Sequence, residues 1–202
     1  MVDYIKSLNE FYKKRILVVG DYCIDEFWHV KNLMISPESM SLRYDVSRRK
    51  SKSNPGAAGN VVCCLNALGV EVYATGIIGN DKYSKELIEM LNKRKINTSG
   101  MIFQSGMETS CFARLKSGEN FPYFSQEGPR IDFSNDDEVT KNSLEQLLNF
   151  IKLNSDKLDA IIVTDYDESG IGLIQEEFLK GIVDISKKYG LLLVGNSRKR
   201  VS

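Results

Sequence analysis

Residues Asn54–Gly79 read NPGAAGNVVCCLNALGVEVYATGIIG, and this stretch decides the fold class. Glycine and alanine crowd its first positions, where the chain has to turn tightly. Apolar residues then recur at helical spacing, and Gly69 stands where a helix places its C′ glycine. Glu71–Gly79 follows at once as a continuous apolar run closing on glycine, the form of a strand buried on both faces of a parallel sheet. A helix feeding such a strand is half of a βαβ unit.

The same form repeats on both sides. RILVVGD (Arg15–Asp21), LDAIIVTD (Leu158–Asp165) and GLLLVGN (Gly190–Asn196) are short apolar runs ending on glycine, aspartate or asparagine. Helical periodicity marks Asp81–Lys95, Ser134–Leu153 and Gln175–Gly190, with Ser134 read as an N-terminal cap and lysines gathered near the other ends. Strands alternating with helices predict a single α/β domain with a doubly wound, mostly parallel sheet. Two segments break the rhythm, about 27–53 and 101–129, with strand-like patches such as SLRYDVSRR and a hairpin turn expected at KSGEN. They are read as a small second β-sheet, a lid. No internal repeat or domain linker interrupts the chain.

Composition excludes several function classes. At 202 residues the chain can bury a full α/β core, and its 27 basic residues balance 27 acidic ones. That balance gives no reason to expect nucleic acid or a membrane surface as partner. No apolar run is long enough to span a bilayer, and the opening MVDYIKSLNEFYKKR alternates charge with apolar residues like a short amphipathic helix. Cytoplasmic residence is expected. Cys23, Cys63, Cys64 and Cys111 show neither a CxxC pair nor metal-finger spacing, and His29 is the single histidine. The thiols read as small packing residues, and no metal site is expected.

Ligands of open α/β sheets sit beyond the carboxyl ends of the strands. Asp21, Asp25 and Asp165 fall at such ends, and Asn60 stands in the first turn of the helix after the glycines. Carboxylates that accept and an amide that both gives and accepts suit hydroxyl groups, as in a polyol or sugar. Any one of these aspartates taken alone reads better as a cap of a turn or helix. The glycine stretch is neither GxGxxG nor a Walker A loop, which weakens a nucleotide-phosphate reading. Asp165–Glu176 fits an EF-hand pattern by spacing, but a strand precedes it where a helix is required. The basic runs Arg48–Ser53 and Arg198–Arg200 read as solvated loop charge, and NTS at Asn97 matters only in a secreted protein.

Together these pieces resemble the ribokinase/PfkB family of carbohydrate kinases. RILVVGDYCIDEFW looks like that family's opening strand, whose sugar-binding aspartate maps to Asp25. ISPES (Ile35–Ser39) is similar to the ISPEAP of the heptose-phosphate kinase branch, the kinase part of ADP-heptose synthases. PGAAGNVVCCLNALGVEVYATGIIGND resembles the first family signature, with Gly56, Gly69, Gly79 and a sugar-contacting Asn60. VTDYDESG and VGNSRKR resemble the branch's SDYGKG and VDSR segments.

The resemblance implies a ribokinase-like α/β core and a β lid that closes over a sugar and forms a homodimer contact. It implies transfer of the γ-phosphoryl group of ATP, with Mg2+, to a hydroxyl of a sugar or sugar phosphate. Substrate binding maps to Asp25, Gly56, Ala57, Gly59, Asn60, Asp21 and Asp165, and cofactor binding to Asn196 and Arg198. Departures accompany it. GGAAN reads GAAGN here, Val62 replaces a small residue, Glu168 takes a lysine position, and Asn196 stands for the aspartate of DSR. The family's catalytic GxGD does not occur in the sequence, so no catalytic base is assigned. The expectation is the sugar-binding, N-terminal part of such a kinase, inactive alone and completed by a C-terminal half that carries the GxGD aspartate and most of the ATP site. The alternative is a catalytically dead sugar- or nucleotide-binding or dimerisation module.

Overall fold

A computed structural model of the chain describes residues 9–117, 127–167 and 172–198. The opening amphipathic segment through residue 8, part of KSGEN, Glu168 with the middle of the EF-hand-like stretch, and Arg200 lie outside the described residues.

Among the described residues five strands form one wholly parallel sheet in the order β5-β4-β1-β8-β9. They are β1 (Arg15–Gly20), β4 (Glu71–Ile78), β5 (Asn97–Phe103), β8 (Ala160–Asp165) and β9 (Leu192–Ser197). β1 lies at the centre, and its alternation divides the core. Val18 points into a cluster with Ala74 of β4 and with Val62, Leu87 and Leu91, brought by helices α1 (Ala58–Ala67) and α2 (Lys82–Lys93). Leu17 and Val19 point the other way, toward Leu147, Ile151, Phe178 and Ile182 of α3 (Lys141–Asn154) and α4 (Glu176–Tyr189). Burial on both faces is why these strands read as unbroken apolar runs.

The remaining strands build a smaller mixed sheet in the order β3-β2-β6-β7. β2 (Tyr22–Ile35) and β3 (Leu42–Ala57) are antiparallel, β2 and β6 (Cys111–Ser117) parallel, and β6 and β7 (Glu127–Phe133) antiparallel. This sheet draws on 22–57 and 111–133 rather than 27–53 and 101–129. Met101–Phe103 belong instead to β5, paired in parallel with β4. The sequence hides this strand because a polar NTSG opens it.

Helix ends follow local chemistry with one difference from expectation. Ser134 does not cap α3; the helix begins only after Thr140, whose hydroxyl accepts from the Ser143 amide at 3.2 Å. Asp81 and Ser84 form a reciprocal capping box on α2. Gly69 and Gly190 take left-handed φ of 87° and 65° just past α1 and α4. Cys63 is half-buried against the core, whereas Cys64 is exposed and does not pack as expected. Among the described residues no helix is long and apolar enough to cross a membrane.

β3 runs into α1 without a loop. Ala57 still pairs with Tyr22 across β2, while the Ala58 amide already donates to the Asp21 carbonyl at 2.9 Å. The whole turn therefore falls on Ala57, at φ 49° and ψ −120°, a conformation that disfavours a Cβ. Replacing Ala57 by glycine relieves strain worth more than the added freedom of the unfolded chain. A net gain of about 1 kcal/mol and a melting temperature raised by about 2–4 °C are expected. Thermal melts of the two proteins check this, and a lowered melting point would contradict it.

Candidate functional site

The two sheets separate at Asp21, the single residue between β1 and β2. Between them opens a cavity of about 460 Å³, floored by the carboxyl ends of β1, β4 and β8 and walled on one side by the small sheet. Its place obeys the rule for open α/β sheets.

Asp21 spans the floor. Its Oδ2 accepts the Tyr166 and Asp167 amides at 2.9 and 3.0 Å, tying β1 to the segment leaving β8. Burial pushes its pKa up to about 6, against the pull of those two amides and with help from the nearby Asp167 and Asp165.

Asp25 sits on β2 in the cavity wall with its side chain 16% exposed, and its Oδ1 accepts from Arg114 Nη1 at 2.9 Å. A Cβ on Gly56 would stand 2.9 Å from Asp25 Oδ2 and 2.5 Å from Cys23 Sγ, so glycine at that position is what lets the carboxylate lie against β3. Ala57, at the end of β3, and Asn60, in the first turn of α1, line the cavity. Gly59 has a different task. A Cβ there would meet Pro55 Cβ at 2.6 Å, so it permits packing behind the turn and does not line the cavity.

Asp165 is buried at the same rim yet is not among the lining residues. Its Oδ2 accepts the Ser197 hydroxyl at 2.8 Å and its carbonyl accepts the Arg198 amide at 3.1 Å, joining β8 to β9. Asn196 likewise stays outside, donating through Nδ2 to the Tyr166 hydroxyl at 2.8 Å. Arg198 does line the cavity and lies over the Tyr166 ring at 5.2 Å. The structure thus gathers Asp21, Asp25, Ala57, Asn60 and Arg198, and assigns Gly56, Gly59, Asp165 and Asn196 to the supports.

Residues missed from the sequence come mainly from the small sheet. Phe112, Arg114, Arg130 and Asp132 face the cavity. Arg130 Nη2 donates to Asp132 Oδ2 at 2.6 Å, and this guanidinium lowers the Asp132 pKa. The signal was present in CFARLKS, where the even positions carry Phe, Arg and Lys, but it needed a strand assignment to be read. Thr109 is held by α2's cap: its amide donates to Asp81 Oδ2 at 2.6 Å, which fixes the Met107–Ser110 edge of the cavity.

Carboxylates, an amide and guanidinium groups converging on one cavity suit a polyhydroxylated, partly anionic ligand. Burial pushes the Cys23 thiol up and Cys111 to about 11, which removes both as nucleophiles near neutral pH. Among the described residues no group of three or more histidine, cysteine or acidic side chains could hold a metal. Magnesium carried by a nucleotide needs only one or two carboxylates, which the rim supplies.

The raised pKa of Asp21 has a signed consequence. The folded protein holds this proton more tightly than the unfolded chain does, so stability falls as pH rises from near 3.8 to about 6. Asp21→Asn keeps an oxygen for both amides and removes the buried charge. It is expected to be more stable than the parent at pH 7 by roughly 1–3 kcal/mol, with the difference vanishing below about pH 4. Urea unfolding across that range tests the sign.

The geometry has counterparts among known proteins. Residues 13–162 match the pfkB family of carbohydrate kinases. The bifunctional protein HldE of Sulfurimonas denitrificans is 33% identical over 187 residues, spanning 93% of this chain and 37% of that protein. Ribokinase from Giardia lamblia superposes with a TM-score of 0.60 at 16% identity, over 94% of this chain and 56% of the other. Arabidopsis thaliana ribokinase, solved with ribose and ATP, gives 0.58 at 15%, over 90% and 53%. The chain therefore spans little more than a third of its HldE relative and about half of the ribokinases. It belongs to the pfkB family of carbohydrate kinases.

Proposed function

We propose that this chain forms the sugar-binding part of an ATP-dependent kinase acting on a sugar or sugar phosphate, of the heptose-phosphate kind. The carrying observation is the cavity wall itself, which Asp25, held by Arg114, lines together with Ala57 and Asn60 of the strand-to-helix turn. An oriented carboxylate accepts from two neighbouring hydroxyls and the amide completes the set, so a sugar ring is fixed by direction as well as by contact. The HldE relatives support the heptose-phosphate branch, and the ribokinase solved with ribose and ATP supports the pairing of sugar with nucleotide.

Phosphoryl transfer needs a base for the attacking hydroxyl and donors for the charge on the moving phosphoryl group. Arg198, on the rim beside Tyr166, is placed to hold nucleotide phosphate, with Asn196 fixing that ring through its hydroxyl. ATP and its Mg2+ would supply the phosphoryl group and charge neutralisation there. The base comes from none of these side chains. A further segment bearing GxGD is proposed to bring it, docking along β9, a sheet edge that leaves Leu192 and Val194 exposed.

The small sheet serves as a lid and as a homodimer contact. Among the described residues the β2–β3 ribbon has no third strand beyond Val30, and it exposes Ile35, Met40 and Leu42 near its tip. The absence of disulfides among four free thiols fits a reducing compartment, the cytoplasm.

Isothermal titration with sugars and sugar phosphates tests the reading. Saturable binding is expected, and Asp25→Asn, which keeps the shape and removes the charge, is expected to weaken it by about 10- to 100-fold without loss of fold. A folded sample that binds no sugar of either kind would count against it.

A further inference from the structure

Three non-glycine residues among those described take a positive φ. Met40 does so in the turn at the tip of the β2–β3 ribbon, and Lys95 just past the end of α2, places where left-handed backbone closes turns and helices. Ala57 does so inside the passage from β3 to α1, and its ψ of −120° takes it out of the left-handed helical well as well. Backbone of that kind is adopted readily only by glycine.

The neighbouring positions carry glycine where space requires it. A Cβ on Gly56 would stand 2.5 Å from Cys23 Sγ, and one on Gly59 would stand 2.6 Å from Pro55 Cβ. Ala57 has a side chain at the position whose backbone most disfavours one. Core packing does not offset that strain, because the methyl belongs to neither hydrophobic cluster of the described residues. Nor does the turn aim the next donor at the cavity, since the Ala58 amide is taken by the Asp21 carbonyl. What sets Ala57 apart is its place. Pro55, Gly56, Ala58 and Gly59 are buried, whereas Ala57 is half-buried and lines the cavity with Asp25 and Asn60. Strain held at a ligand wall, with no packing to explain it, points to a task at the ligand.

We infer that the Ala57 methyl is a specificity-determining group, which meets a C–H of the bound sugar ring and rejects the epimer that turns a hydroxyl toward it. The inference rests on the sugar-kinase reading and narrows its substrate class to sugars with an apolar ring edge beside the hydroxyls that Asp25 and Asn60 take. A methyl offers neither donor nor acceptor, so a hydroxyl pressed against it gives up its water and gains no partner. A C–H in the same place keeps its dispersion contact. Glycine would leave a gap in which the hydroxyl could keep a bridging water, and the selection would be lost.

The test titrates the full chain and two variants with glucose and its epimers mannose, allose and galactose, each free and as the 6-phosphate. The unaltered protein is expected to separate at least one pair of epimers by about 10-fold or more. Ala57→Gly is expected to reduce that separation to about 2-fold, chiefly by binding the disfavoured epimer more tightly, and to melt higher than the parent. Ala57→Ser keeps the backbone strain but puts a hydrogen-bonding group on the wall, so it is expected to narrow the preference without raising the melting temperature. Selectivity unchanged in Ala57→Gly, with sugar still bound, would overturn the inference and leave the sugar-kinase reading standing. A preference lost in Ala57→Gly but kept in Ala57→Ser would overturn it by assigning the effect to the strain. Equal weakening of every epimer would overturn it too, making Ala57 a support of the turn, as would failure of the unaltered protein to separate any pair. Absence of binding by sugars and sugar phosphates alike would remove both readings.

Discussion

The junction at Asp21 is the constraint on which the rest of the molecule depends. One residue separates a strand of the parallel sheet from a strand of the small sheet, so the two sheets can diverge only there. The backbone carbonyl of Asp21 starts α1, its amide meets the Thr164 carbonyl, and its carboxylate gathers the amides that follow β8. Three chain segments distant in sequence are thereby brought to one point. The cost is a buried charge whose pKa rises to about 6, the expected result when desolvation outweighs two amide hydrogen bonds. The cavity is the space that this divergence leaves.

Around that junction the floor and the wall have different physics. The floor is made of strand ends from a sheet packed on both faces, rigid because Val18 is locked in one cluster and Leu17 and Val19 in the other. The wall is a sheet whose cavity face carries Asp25, Arg114, Arg130 and Asp132 in alternation with aromatic rings. Floor and wall thus differ: the one is apolar and packed on both faces, the other turns charge toward the cavity. The coupling between them runs through Asp81, which caps α2 and also holds the Thr109 amide at the cavity edge.

Much of the fold was legible because burial on both faces leaves a local mark. RILVVG, EVYATGII, AIIVTD and the run ending at Asn196 all lie in the parallel sheet, and the helices between them fall within a few residues of their periodic segments. β5 was not legible, since NTSG carries polar residues on an edge strand where solvent accepts them. The start of α3 was misplaced because Ser134 and the acids after it look like a cap, while Thr140 provides the hydrogen bond. At the site, Asp21, Asp25, Asn60 and Arg198 were identified and do meet at the cavity. Asp165 was chosen by its place after a strand and Asn196 by the family resemblance; the structure pairs their side chains with Ser197 and Tyr166.

Sequence by itself determined the class of the fold and the tight strand-to-helix passage at 56–59, because these depend on periodicity and on residues close together in the chain. Only the tertiary structure decided which face of β6 and β7 looks into the cavity, and so that Arg114 and Arg130 stand together beside Asp25. The reason is the two-residue period of a strand: a slip of one position would send every one of these side chains to the opposite face. That register is set by pairing with β2, whose cavity-facing residues lie some 85 positions earlier in the chain, a distance over which no local pattern carries information.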